Sequence, residues 1–417
     1  MPATVCAAYA LILSVLIILG SIKTDNRRIT YSTALMLYTI VTQFGLAIPY
    51  LFFGRDTFPE YSDWTLGFMQ SDYLSKAMIL GVIAITSLNI GVLIARKKKP
   101  IETETVGYLK EDIIFGNRMY LASLILLSIV LLFFAYNILS GGMSIASTYE
   151  TFRRSSAYNS SIYSYILIIF YVGTLYLASA GSIKHHKVGW GLWSIIVLVF
   201  ALNGNKGEFM YALLAVIGMK GVEGQKINRK MVLLIALTLF LIIPGITSLR
   251  SIGILGNIRN ARINLFDAFG EMGMQLRMTV YTLRDIANRR YGYLWGESYW
   301  RPIFNILTPI IIKHTQATAA VRALYPGNGY SQVAESYLNF NIPGVIFFYF
   351  IIGYLLGKYE AKITNRGRLA YLGTIVCILI NATRNYFAFV PGHILLVTLI
   401  YLVAIRLKTS KQDGKLL

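Results

Sequence analysis

Apolar runs recur along almost the whole chain, and no other feature restricts its fold as much. A bilayer's hydrocarbon core is about 30 Å thick and takes roughly 20 apolar residues of helix to cross. Eleven runs reach or approach that length. They lie near 4–22, 31–53, 73–95, 119–139, 162–180, 188–203, 206–220, 231–249, 342–357, 369–384 and 389–406. The weakest are 188–203 and 206–220, which together read as a tight helical hairpin around NGNKGE. The expected fold is an all-α polytopic integral membrane protein with eleven transmembrane helices. Composition agrees: 56% of residues are hydrophobic, 14% are charged and the mean hydropathy is +0.58.

Other classes fall away quickly. Cys6 and Cys377 both sit inside apolar runs, which is no disulfide framework. His185, His186, His314 and His393 have no ligand-like spacing with carboxylates, so neither a metal site nor a cofactor is expected. A net charge of +20 raises the question of nucleic acid, but the charge is distributed as a membrane topology would distribute it. The N-terminus, MPATVCAAYALILSVLIILG, has no basic leader and reads as a first span rather than a cleaved signal peptide. Many of the 29 Tyr and 22 Phe are expected to anchor the membrane interfaces.

Lys and Arg set the expected orientation. One set of short segments holds 23 of them: KTDNRR, RKKKPIETETVGYLKEDIIFGNR, KHHK, KGVEGQKINRK, KYEAKITNRGR and the tail RLKTSKQDGKLL. The alternate short loops hold few. The basic set is assigned to the cytoplasm, which puts the N-terminus outside, the C-terminus inside and the number of spans odd. The chain then divides into a membrane domain of eight spans (1–249), a large external loop (250–341) and three last spans with a cytoplasmic tail (342–417).

The external loop has ten basic residues, against four acids up to residue 326. That excess suggests an anionic ligand, with lipid headgroups as the plainer reading. Within it, INLFDAFGEMGMQLRMTVYTLRDIANRR reads as one helix. Phe269, Met272, Leu276, Val280, Leu283 and Ala287 form an apolar stripe. The opposite face carries Gly270, Gly273, Arg277, Tyr281, Arg284 and Asn288. Its glycines keep that end thin, so that something bulky can approach. Arg277 and Arg284 are two turns apart, which suits a clamp for phosphate or pyrophosphate. An interfacial helix with arginines reaching for headgroups fits the same pattern. Arg250, Arg384 and Lys206 lie at external span ends, where they either converge on one external cavity or snorkel individually.

Ion-coupled carriers place charges at mid-membrane in paired broken helices. These span interiors are almost free of charge, no two halves look repeated, and no Walker A sequence for ATP is present. A lipid-linked flippase or exporter would line its spans with charge and lack a dominant external loop. Chemistry is therefore expected outside, on a substrate that arrives in the membrane.

Three segments carry a family likeness. ALNGNKGEFMYALLAVI resembles a Gly-(Ser/Asn)-Arg-Gly turn opening a span, with Lys206 where arginine is usual. GNGYSQVAESYLNFNIPGVIFFYFIIGYLLG resembles a Gly-x-Ser-x-x-(Ala)-Glu-x-Tyr-x-Asn-Phe-Gly segment leading into a span, with Asn341 in place of Gly. ATRNYFAFVPGHIL resembles an Arg-Asn/Asp-x-Phe stretch near the C-terminus. The chain thus resembles the bacterial O-antigen polysaccharide polymerases (Wzy), within the wider group of O-antigen polymerases and ligases.

The resemblance implies a GT-C-like fold in the bacterial plasma membrane. It implies glycan transfer from undecaprenyl pyrophosphate to the terminal hydroxyl of a new lipid-linked repeat unit, on the outer face. Membrane lipids and a chain-length regulator protein are the further partners. O-antigen ligase shares the architecture and is the nearest alternative; His314 in the loop favours it, while the Glu-Tyr-Asn-Phe segment favours polymerase. Arginines can stabilise a pyrophosphate leaving group without a metal. Arg250, Arg277, Arg284 and Arg384 are the candidates, with Lys206 behind them. Glu335 is the first candidate for base on the acceptor hydroxyl, or else it anchors an arginine by a salt bridge. His314 and His393 follow as bases. Tyr281, Tyr330, Tyr337 and Asn339 are candidates for sugar contacts.

Overall fold

The structure is a computed structural model. It describes residues 2–407 apart from 98–112, 145–148, 161, 182–185, 206, 229, 231–232, 234–236, 238–240, 242, 246–263, 308–318 and 326–328. Among the described residues all regular structure is helical. The main helices are α1 (Ala3–Thr24), α2 (Tyr31–Phe44), α3 (Ala47–Phe53), α4 (Leu74–Ala95), α5 (Ile113–Leu139), α6 (Tyr163–Ser179), α7 (Lys187–Leu202) and α8 (Gly207–Val222). After these come α9 (Asp267–Gly273), α10 (Leu276–Ala287), α11 (Glu297–Leu307), α12 (Gln332–Glu360), α13 (Arg366–Ala382) and α14 (Val390–Ala404).

Among the described residues, five helices are long and apolar enough to cross a membrane: α1, α4, α5, α12 and the stretch Phe387–Ala404 that contains α14. The bent pair α2 and α3 makes a sixth. This is fewer than the eleven apolar runs, for physical reasons. α6 and α7 are apolar but only 17 and 16 residues long, and the run 231–249 lies mostly outside the described residues. The run 31–53 is not one rod, since its two helices meet at 47°. Pro49 accounts for the corner: it has no N–H to give the Gly45 carbonyl, and its ring crowds that carbonyl.

The chain folds into two compact units. The first gathers 1–101, 266–361 and 378–394; the second gathers 102–265, 362–377 and 395–417. In the second, α6 is nearly all buried. Its end is tied by Lys220 Nζ to the Ala178 carbonyl (3.0 Å) and by Arg366 to the Ser179 carbonyl (2.5 Å). Asn205, in the turn between α7 and α8, meets the Tyr163 hydroxyl at 2.8 Å.

The first unit is built on α4 against α12. A Cβ on Gly353 would lie 2.0 Å from the Leu88 carbonyl oxygen, and one on Gly91 would lie 2.3 Å from that of Phe350. Such backbone-to-backbone packing through small residues is how helices associate in lipid, where apolar burial gives no drive. One end of this pair is locked by a buried ion cluster. Arg96 pairs with Asp25 at 2.5 Å and with Glu360, and all three side chains are at most 3% exposed. Ser32 donates to Glu360 through its backbone N–H (2.7 Å) and its hydroxyl (3.0 Å), and Thr30 donates to Asp25 (3.0 Å).

The arginine-bearing segment forms two helices, α9 and α10, rather than the single one expected. α10 is buried round most of its circumference, including Leu276, Arg277, Met278, Thr279, Thr282 and Asp285. The glycines of α9 do admit something bulky, and it is the protein itself. Gly270 sits against the Phe58 ring, and a Cβ on Gly273 would lie 2.1 Å from the Leu46 amide nitrogen.

Candidate functional site

α12 breaks at Phe340 (φ −140°, ψ 27°) and Asn341 (φ 58°, ψ −150°). Two turns, 332–339, thus precede the apolar run. The break has a sequence cause. The Ile342 N–H is taken by Asn341 Oδ1 at 2.8 Å, and Pro343 has no N–H to give. The carbonyls of Leu338 and Asn339 are left without donors from the following turn. They are capped instead by the amides of Leu294 (2.9 Å) and Trp295 (3.1 Å). This clasp brings the first turn of α11 onto the 332–339 helix.

Five side chains complete the clasp. Asn339 Nδ2 donates to Ser298 Oγ at 2.7 Å and to the Glu335 carbonyl at 2.8 Å. The Tyr299 hydroxyl donates to Ser336 Oγ at 2.9 Å and accepts from Gln332 Nε2 at 3.4 Å. Burial, and next the Glu335 charge, push the Tyr299 phenol well above its usual range, so it acts as a neutral donor. Below the clasp, Ser331 accepts from Gln43 of α2 and from Thr279 of α10, both at 3.2 Å.

The segment 383–387 closes the other side. Tyr330 N–H donates to the Arg384 carbonyl (2.9 Å) and Gln332 N–H to that of Thr383 (3.4 Å). Phe387 N–H donates to Glu335 Oε2 (2.8 Å). The Tyr330 and Tyr386 rings stack at 4.4 Å with 8° between planes. Two of the three family-like segments, around Glu335 and around Arg384, are therefore in register with each other.

Glu335 is fully buried. Among the described residues no Lys, Arg or His lies within ion-pair distance of it. Its Oε1 makes no hydrogen bond of ordinary geometry, and the Ser298 hydroxyl is an electrostatic neighbour of the carboxyl. Gln332 Oε1 and Asn339 Oδ1 are also buried without donors. Positions 332, 335 and 339 share one helix face, so three unmet acceptors stand together. A buried acceptor left unpaired costs about 1–3 kcal/mol, and a ligand bearing hydroxyl donors would recover it.

The arginines lie on α10, which touches this site through Thr279 and through Thr282, whose hydroxyl is 3.1 Å from that of Tyr330. Arg277 is 8% exposed. Burial pulls its pKa down, opposed by the phenols of Tyr281 and Tyr61. Arg284 bonds Asp285 (3.1 Å) and the Tyr325 hydroxyl (2.8 Å) and lies over the Tyr281 ring at 4.8 Å. Burial lowers its pKa, but Asp285 and Tyr325 together outweigh burial and the net shift is upward. Burial and Asp285 push the Tyr325 phenol up to about 12. Tyr281 stacks on Tyr325 at 4.7 Å.

Of the other sequence candidates, Tyr330 is wholly buried, and Tyr337 is half-buried beside the Tyr293 ring at 6.1 Å. His393 stacks on Phe389 at 6.2 Å. Arg384 meets the site through its carbonyl. Lys206, Arg250 and His314 lie outside the described residues. Sequence reasoning missed Ser298, Tyr299, Gln332 and the Phe387 amide. Gln332 could have been found from its spacing to Glu335 and Asn339, whereas the others reach the site only through the clasp and the 383–387 segment. Among the described residues no group of three or more His, Cys, Asp or Glu gathers as a metal site.

No solved structure matches the chain. Protein CapE of Staphylococcus aureus is 27% identical over 369 residues, covering 87% of this chain and 81% of that protein. The family model for O-antigen polysaccharide polymerase Wzy matches residues 2–411. With a match of nearly full length, the chain belongs to the O-antigen polysaccharide polymerase Wzy family.

Proposed function

We propose that this polymerase moves a growing glycan from undecaprenyl pyrophosphate to the terminal sugar hydroxyl of a new lipid-linked repeat unit, with Glu335 as the base. Family membership supports polymerisation of lipid-linked oligosaccharide units in a membrane. The observation that carries the residue assignment is Glu335 itself: a buried carboxylate with one oxygen held by the Phe387 amide and the other unmet, between two unmet amide oxygens. In this reading the acceptor hydroxyl gives its proton to Oε1 and its oxygen bonds to the donor's anomeric carbon. The bond from that carbon to the pyrophosphate oxygen breaks, and the pyrophosphate leaves with the electron pair. The amide oxygens of Gln332 and Asn339 take neighbouring hydroxyls. Tyr299 covers this face, so its side chain must swing aside to admit the sugar.

Arg277 and Arg284 take the pyrophosphate. Tyr281 and Tyr325 leave the Arg284 guanidinium on an aromatic platform, a geometry that keeps a planar cation oriented. The permanent positive charges substitute for a metal in stabilising the leaving group. The reaction lies on the outer face of the bacterial plasma membrane, with the N-terminus outside and the C-terminus in the cytoplasm, as the Lys and Arg distribution supports. A chain-length regulator would act alongside it there.

The test is the glycan ladder of a strain lacking the gene. A single repeat unit on the final carrier, restored to long chains by the gene, is the expected result. Absence of any glycan from the carrier would identify a ligase, and internal accumulation an exporter.

A further inference from the structure

Ser298 takes no part in the proposed transfer, yet its bonding is specific. The turn before it contains two left-handed residues, Trp295 (φ 49°) and Gly296 (φ 87°). A Cβ on Gly296 would strike the Phe340 ring at 2.8 Å. The chain thus accepts a constrained turn in order to start α11 against the break in α12. Ser298 is 3% exposed. Its oxygen receives the Asn339 Nδ2 proton at 2.7 Å. Asn339 is held in turn, because the same nitrogen donates to the Glu335 carbonyl.

A hydroxyl has one proton to give. With Asn339 on its acceptor side, the Ser298 proton is directed away from that amide, and the Glu335 carboxyl is the charged group beside it. We propose that Ser298, oriented by Asn339, is a positioning residue that steers the Glu335 carboxyl into the rotamer that presents Oε1 to the acceptor hydroxyl. Two restraints then act on one carboxyl, the Phe387 amide on Oε2 and the Ser298 hydroxyl. Positioning matters at this scale because a base acts only within hydrogen-bond reach of the proton it takes. The inference rests on Glu335 being the base.

The experiment measures chain extension in membranes carrying the full-length protein, with the lipid-linked repeat unit as substrate. Variants are Ser298→Ala, Ser298→Thr and Glu335→Gln. Ser298→Ala is expected at normal level, with kcat down roughly tenfold and KM unchanged, a fraction of what general-base catalysis supplies. Ser298→Thr, which keeps the hydroxyl, is expected to recover most of the rate. An unchanged kcat in Ser298→Ala, or an equal loss in Ser298→Thr, overturns the inference. So does loss of Ser298→Ala protein from the membrane, since steering alone predicts a normal level. Full activity in Glu335→Gln overturns instead the reading beneath it, whatever Ser298→Ala does.

Discussion

The Phe387 amide donates to Glu335 Oε2 across 2.8 Å, although 52 residues separate the two. The bond is the last of three that run the segment after α13 along the entry to α12, following Tyr330 to Arg384 and Gln332 to Thr383. A backbone donor survives every substitution of its own side chain except proline. The carboxylate is thereby fixed by the path of the chain rather than by a neighbouring cation.

Arg277→Ala and Arg284→Ala are each expected to abolish long chains while leaving protein in the membrane. Arg284→Lys should rescue poorly, because an ammonium cannot hold both Asp285 and Tyr325 in the planar fork that guanidinium offers. Ladders of normal length in both alanine variants would remove the pyrophosphate clamp.

Arg96→Met leaves Asp25 and Glu360 buried with no cation between them. Breaking a buried pair by removing one partner costs about 3–5 kcal/mol, so a marked drop in membrane level or in melting temperature in detergent is expected. Glu360→Gln should be milder, since Ser32 can still bond the amide oxygen.

Asn341 holds a backbone conformation nearly restricted to glycine, which costs on the order of 1–3 kcal/mol for other residues. Asn341→Gly should therefore keep near-normal stability, trading the side-chain cap on Ile342 for relief of strain. Asn341→Val loses the cap and keeps the strain. Thermal unfolding of the two in detergent should separate them clearly, with valine the lower.

Gly273→Ala places a methyl into the Leu46 backbone, which cannot move aside as a side-chain tip would. Overpacking of this kind costs about 1–3 kcal/mol. The expected readout is a lower melting temperature, without a specific loss of kcat at permissive temperature.

The helical, multi-span nature of the chain was legible because apolar run length answers directly to bilayer thickness. The corner at Gly45–Leu46 was not, since the length of an apolar run registers hydrophobicity and not a bend. Glu335 was legible as the lone acid in a polar segment bordering a span, and Asn341 as a residue standing where Gly was expected. The reason for that glycine, a left-handed residue at a helix break, became visible only with the backbone. Arg277 and Arg284 were legible from their spacing. The burial of Arg277 was not, because α10 is buried round most of its circumference while carrying the pattern of a surface helix. Ser298 carries no periodic signal at all. It reaches Asn339, 41 residues away, only because Pro343 and Asn341 free two carbonyls for the chain around residue 294 to cap.

The role of Glu335 as base is measured most directly by the ladder made by Glu335→Gln at normal protein level. Glutamine keeps the size and the oxygen that accepts from Phe387, and loses the ability to take a proton. A single repeat unit with no extension is expected. Chains of ordinary length made by that variant would contradict it.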